Sequence, residues 1–357
     1  MSRLLTCGYE TGDINEAGFN TIAASHTLTV VGSTPTPRAG AYCLKVTNTS
    51  GTVLGVTYKS LALATAKTEV WCRWAIFLHA LTGGGEFLIA GLQDASGAGQ
   101  VCLTWSATDG LLRARLGTTI AGTLLGTSGT VLPQDSWHVI EWREQILTAT
   151  TGAAEVWLDG NRVINFSGDT SSTATLNVQT LLLGVFNTVG SQVANEYVAF
   201  DDIAVNDTAG TLNNGRAGDG RIVLLTPSAA GSSTQFVRGG TDTGANFSQV
   251  NELPPSMGQY VGSSTVGQRD LYALTDVGVA VSAINVVEAI ALAQNSDAGG
   301  GSIGPTIKSG ATINEATAIG LSTSAGYVTS RWETDPNTSA AWTIAAVNAL
   351  EAGATVR

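Results

Sequence analysis

Apolar and polar positions alternate in short runs along most of the chain, the period of strands with one buried face. Thr27–Gly32, Tyr42–Asn48 and Val53–Tyr58 are rich in β-branched residues and bounded by Gly, Pro, Ser and Asn, so each predicts a strand. Glu69–Leu78 alternates and then becomes continuously apolar, which suits a central strand covered on both sides. Glu86–Gln93, Val101–Ser106 and Leu111–Leu116 continue the theme, the last alternating Leu and Ala with Arg113 and Arg115. Trp137–Arg143 alternates strictly. Trp137, Val139 and Glu141 fall on one face, and His138, Ile140 and Trp142 on the other. Ala154–Leu158 and Arg162–Phe166 flank Asp159-Gly160-Asn161, and Asp-Gly supplies the positive φ that a tight hairpin requires. Leu181–Asn187 and Tyr197–Val205 predict two more strands.

Past Val205 the pattern breaks. Asn206–Gly220 is dense in Asn, Asp and Gly and reads as a linker. The expected organisation is a domain over residues 1–207, a linker over 208–220 and a second domain over 221–357. In the second, strands are expected at Arg221–Thr226, Arg269–Leu274, Val279–Ala293 with an interruption, Ser302–Ser309, Ala316–Thr323, Gly326–Glu333 and near Ala352–Arg357. Trp342–Ala352 has near-helical spacing of Trp342, Ala345, Ala346 and Leu350, and reads as a helix or as a strand followed by a turn. No internal repeat of solenoid or propeller length is visible. The fold class expected is all-β, with an N-terminal antiparallel β-sandwich and a second C-terminal β-sandwich module.

Composition narrows the roles. The 357 residues fit two domains at about 150 residues each. Charged residues are 13%, against roughly 25% in an average soluble domain, and net charge is -11. Residues 1–210 carry 10 Lys+Arg against 17 Asp+Glu, and residues 211–357 carry 7 against 11, so neither half offers the cationic face that nucleic acid needs. No apolar run approaches the roughly 18 residues of a membrane-spanning helix, and no membrane insertion is expected. The start MSRLLTCGYETGD lacks a cationic stretch followed by a long apolar one, so synthesis in a cytoplasm without a signal peptide is expected. Buried free thiols are then the expectation for Cys7, Cys43, Cys72 and Cys102.

Two stretches resemble known families. The succession WHVIEWR, EVWLDGNRVINF, LLLGVFN and YVAFDDIAV, from Trp137 to Val205, resembles the second half of concanavalin-A-like and laminin-G-like jelly rolls, a likeness that extends over about residues 1–207. Further on, GDGRIVLLTPSAAG, TVGQRDLYALT and TSRWETDPNTSAAWTIAAVNALEAG resemble a module appended to such jelly rolls in tailed-bacteriophage virion proteins. These likenesses imply a structural protein on the outside of a phage particle, either head decoration or a tail appendage. Its partners would be other virion proteins and copies of itself. The alternative is an adhesin for host-surface glycans, and a glycan hydrolase is a third reading.

Candidate chemistry is thin. The Glu-x-Asp-x-x-Glu run of glucanases with this fold is absent. A retaining glycosidase needs two carboxylates about 5–5.5 Å apart. Glu141 and Glu144 fall on opposite faces of a strand, and Asp159, which has the right parity with Glu155, is taken by the turn. No enzymatic activity and no cofactor are therefore expected. Asp201 and Asp202 are the candidate calcium ligands of the lectin kind, with Asp94 and Asp109 as possible completions. The competing reading has one aspartate bonding loop amides and the other facing water. His26, His79 and His138 lie in separate segments with no zinc spacing, and no GxSxG elbow supports a serine nucleophile. Six of the eight tryptophans precede residue 210, within strands, and most are expected in the core.

Overall fold

The computed structural model describes residues 2–16, 20–23, 26–48, 57–82, 85–148, 151–186, 196–240 and 243–357. The expectation for Val53–Val56 lies outside the described residues. The chain forms two compact units, one of Met1–Glu10 with Phe19–Ile222 and the other of Thr11–Gly18 with Val223–Arg357.

The first unit is an antiparallel sandwich. Its strands in chain order are β1 (Arg3–Cys7), β2 (Asn20–Ala23), β3 (His26–Val31), β4 (Cys43–Asn48), β5 (Thr57–Lys67), β6 (Glu69–His79), β7 (Glu86–Gln93) and β8 (Gly99–Ser106). They continue with β9 (Leu111–Leu116), β10 (Leu124–Val131), β11 (Trp137–Gln145), β12 (Gly152–Leu158), β13 (Asn161–Gly168), β14 (Val178–Phe186) and β15 (Tyr197–Asn206). One sheet runs β13-β12-β11-β6-β15-β4-β3, with β1 also paired to β15, and the other runs β10-β9-β8-β7-β14-β5-β2.

Large side chains fill the space between the sheets. Trp74, Trp142, Ile76, Leu78, Leu44 and Phe200 come from the first sheet, and Phe87 and Trp105 from the second. Trp74 and Trp142 meet edge to face at 6.3 Å, a favoured aromatic geometry. The hairpin at Asp159-Gly160 forms as its residues dictate, with φ of 49° and 81°. All four cysteines are buried free thiols, and burial pushes those of Cys43 and Cys102 up to about 12.

The second unit is also antiparallel β. Its main sheet orders Pro227–Thr234, Arg269–Leu274, Glu351–Val356, Ser302–Ser309 and Thr312–Glu315, with Ile319–Gly320 on Ser302–Ser309. Two ribbons pair Val237–Gly240 with Gln259–Gly262 and Val287–Ala293 with Gly326–Trp332. The segment 342–352 combines both of its readings: a helix over Ile344–Asn348, capped where Ala346 N–H donates to Thr343 Oγ1, then the strand Glu351–Val356. That helix brings Val347 onto a core of Ile307, Trp342 and Leu350. Arg221–Thr226 is not a strand: Ile222 N–H donates to the Asp202 carboxylate at 2.7 Å and Thr226 N–H to Thr275 Oγ1 at 3.1 Å, side-chain acceptors in place of a strand ladder.

Candidate functional site

Strand alternation puts Trp71, Arg73 and Phe77 of β6, Trp137, Glu141 and Arg143 of β11, and Glu155 and Trp157 of β12 on the face of the first sheet opposite its core. Three of the six N-terminal tryptophans, Trp71, Trp137 and Trp157, therefore lie on the outward face, where Trp71 and Trp137 are partly exposed. The expectation that most would be buried holds for four of the six, Trp74, Trp105, Trp142 and Trp157, the last of them buried on the outward face. Alternation separates two faces but does not say which turns inward when both carry aromatic residues.

At one end of this face the rings form a row. Phe77 lies 5.5 Å from Trp137 and stacks on Tyr197 at 6.0 Å, and Tyr197 stacks on His79 at 4.5 Å. Lys45 Nζ sits 4.0 Å over the Tyr197 ring, a cation–π contact, and also donates to Thr34 O. Burial, with Asp135 and Cys43 nearby, raises the Tyr197 phenol above its ordinary value. His79 Nδ1 is 2.5 Å from Asp135 Oδ1. A carboxylate only accepts, so the neutral imidazole holds its proton on Nδ1 and leaves Nε2 as a base. The arrangement thus gathers flat apolar rings, a base, a phenol and an ammonium.

At the other end Trp71 and Trp157 lie 5.7 Å apart, with Arg143 over the first and Arg216 over the second. Arg143 is bound by Glu69 and Glu155, and Glu155 also by Arg162. These rings are covered by an ion-pair network.

The stretch 208–220, linker-like in composition, is stitched across this face. Arg216 pairs with Glu141, Gly218 N–H donates to Glu141 Oε1 at 2.8 Å, and Arg73 Nε donates to Gly218 O at 3.1 Å. A side chain at Gly220 would run into the Arg73 guanidinium. A small cavity under this stretch is lined by Val139, Glu141, Asp159, Gly160, Arg216, Gly218 and Asp219.

Asp201 and Asp202 sit at a bulge in β15, and Asp202 adopts φ 54°. Both are fully buried. Asp201 Oδ2 accepts from Arg38 N–H and Ala39 N–H, and Oδ1 from Asp202 N–H. Asp202 Oδ1 accepts from Ile222 N–H, and Oδ2 from Arg38 Nη1 at 2.6 Å. Every carboxylate oxygen of the pair therefore has a protein donor. Burial and the adjacent Asp202 raise Asp201 well above the carboxylate range. Neither aspartate faces water, which departs from the loop-amide reading in its second half.

The other candidates stay apart. Asp94 accepts from Ser96, Ala98 and Thr173, and Asp109 pairs with Arg113. Among the described residues, no three His, Cys, Asp or Glu side chains gather as metal ligands. Glu141 faces Arg216, while Glu144 is buried in the core, as their opposite parity requires.

No family model matches the sequence, and no curated protein matches it. Solved structures share its fold. An endo-β-1,4-glucuronan lyase from the fungus Trichoderma reesei is 14% identical with a TM-score of 0.45, covering 58% of this chain and 96% of its own. The alginate lyase Aly36B is 14% identical with a TM-score of 0.40, covering 57% and 93%. The carbohydrate-binding module CBM66 from Bacillus subtilis is 11% identical with a TM-score of 0.34, covering 53% and 96%. The neighbours agree with a concanavalin-like β-sandwich. They correct the expectation that the chain is not an enzyme. Polysaccharide lyases stand among these neighbours, and the search for paired hydrolase carboxylates tested only one chemistry.

Proposed function

We propose that the N-terminal unit binds a glycan on the outward face of its first sheet. The observation that carries this reading is the row of Trp137, Phe77 and His79, partly exposed on the outward face and packed around the buried Tyr197 ring. Flat rings suit the C–H face of a sugar, and Lys45 and Asp135 at the rim offer a donor and an acceptor for its hydroxyls. Affinity electrophoresis through gels holding neutral or uronic polysaccharides tests it. The protein should be retarded by at least one of them, and Trp137→Ala should weaken that binding about tenfold, as loss of a contact worth about 1.4 kcal/mol does. Unretarded migration in every gel overturns the reading.

A second reading is favoured by the His79–Asp135 pair beside Tyr197 and Lys45. A base, an acid and a cation are what proton abstraction next to a uronic carboxylate requires. Incubation with a bound uronic glycan would then release unsaturated sugar ends. Binding without release overturns this second reading alone.

The finer proposal mounts this unit on the outside of a tailed-bacteriophage particle, with head decoration favoured over a tail or baseplate appendage. Other virion proteins and further copies of the chain are its proposed partners. The resemblance of residues 221–357 and the acidic, weakly charged composition support it. Purified protein should rebind stripped particles in fixed stoichiometry. Absence of rebinding to heads and to tails counts against the particle reading and leaves glycan binding standing.

A further inference from the structure

The structure assigns a Ser-His-Asp nucleophile site to Ser136, His138 and Asp159, at the start of β11 and the β12–β13 turn. Ser136 Oγ lies 2.8 Å from His138 Nε2, and His138 Nδ1 lies 2.7 Å from Asp159 Oδ2. Both are ordinary hydrogen-bond lengths, and the connectivity is that of an activated serine: nucleophile to base, base to orienting carboxylate.

Local structure builds each part. Ser136 lies in the bend directly before β11 and His138 is the second residue of that strand, and the bend brings the hydroxyl onto the imidazole. Asp159 is the first residue of the hairpin turn, and its positive φ turns the carboxylate back toward β11. Its second oxygen, Oδ1, accepts from Val139 N–H at 2.8 Å and is fixed by the backbone. Asp159 cannot donate as a carboxylate, so Nδ1 of the neutral imidazole carries the proton and Nε2 accepts from the serine hydroxyl. Ser136 Oγ is also 3.5 Å from Gln134 O, too long and weak a contact to compete with the imidazole.

The serine is exposed, and the turn around it is open. That geometry suits a small carboxylic ester, with an O-acetyl group as the smallest case. Ser136 Oγ attacks the carbonyl carbon while its proton passes to His138 Nε2. The C–O bond to the alcohol breaks, and the alcohol leaves with that proton. Water then attacks the acyl-serine, again giving a proton to Nε2. The ester bond breaks, the proton returns to Oγ, and the free acid is released. Solvent rather than an enclosed oxyanion site faces the exposed serine, so slow turnover is expected and covalent capture is the sensitive readout.

The test uses the full chain and a fluorophosphonate probe. Ser136 Oγ forms a bond to phosphorus, the P–F bond breaks, fluoride leaves and the proton passes to His138. Folded protein should be labelled on the peptide containing Ser136, and protein held in urea should not. Ser136→Ala should lower labelling at least a hundredfold, comparable with or below the loss of any triad member. Asp159→Asn keeps a residue that tolerates the left-handed turn but places an amide at Nδ1, and should lower labelling about tenfold or more. Equal labelling of folded and unfolded protein, labelling that survives Ser136→Ala, or no labelling above background each overturns the assignment. The Ser136 change is a surface truncation, and an unchanged unfolding midpoint verifies that it folds.

Discussion

Replacing Asp202 by alanine is expected to destabilise the N-terminal unit by about 3–5 kcal/mol, the usual cost of removing one partner of a buried ion pair. The carboxylate is fully buried, and the Arg38 side chain that it holds is only 9% exposed. Without Asp202, Arg38 keeps the Gly220 carbonyl and, as its one remaining ion-pair partner among the described residues, Asp219, whose side chain is 72% exposed, and Ile222 N–H loses its acceptor. Arg73 Nη1 donates to the Asp202 carbonyl, so a shift of the bulge also disturbs a second buried guanidinium. Alanine tolerates the left-handed backbone poorly, which adds to the loss. Urea unfolding followed by tryptophan fluorescence checks this, since six of the eight tryptophans lie in residues 1–210. Asp219→Ala is the control and should cost under about 0.5 kcal/mol, as exposed pairs do. A loss at Asp202 no larger than at Asp219 would show that the clamp does not hold the stretch 213–222 to the sheet.

That clamp marks where the sequence stops being readable. Asp201-Asp202 draws attention as a possible ligand pair because consecutive buried acids need partners. Their partners, Arg38, Ala39 and Ile222, lie in loops distant along the chain, and no periodicity links them. The stretch 206–220 reads as a linker because turn-forming residues report local conformation. The long-range acceptors Glu141 and Asp202 that tie it down leave no local trace. The hairpin at Asp159-Gly160 is fully legible, since φ and strand alternation are local properties. Its consequence is not: that same aspartate meets a histidine 21 residues earlier. Absence of a GxSxG elbow argued against a serine nucleophile, but the elbow belongs to one strand-to-helix architecture. Here Ser136 and His138 meet across the bend that leads into β11.

Trp142→Ala is expected to cost the N-terminal unit about 3–5 kcal/mol, as removal of a large buried aromatic does. Trp142 is fully buried, packs against Trp74 and donates from Nε1 to Glu144 Oε2 at 2.9 Å. Trp137→Ala, on the outward face of the same strand, should cost about 1 kcal/mol, because Trp137 is partly exposed and its Nε1 donates to Thr36 O beside solvent. The contrast tests the assignment of faces directly, and equal costs would mean that both faces of β11 are core. The partner Glu144 adds a signature in pH. It is buried, Oε1 has no partner among the described residues, and burial holds its carboxyl well above the ordinary value. Unfolding releases that proton in the window between the unfolded value of about 4.3 and the raised value of the folded state. The unfolded state then binds fewer protons than the folded one, and stability falls as pH rises from about 5 toward about 8, the value to which burial and Asp202 raise Asp201. Asp201 acts in the same direction. The carboxylates held low, Glu155 and Glu351 among them, lose stability only on acidification below that window. Thermal midpoints should therefore fall across the window in the parent chain and fall less in Glu144→Gln. Parallel curves for the two proteins would mean that Glu144 is already ionised in the folded core.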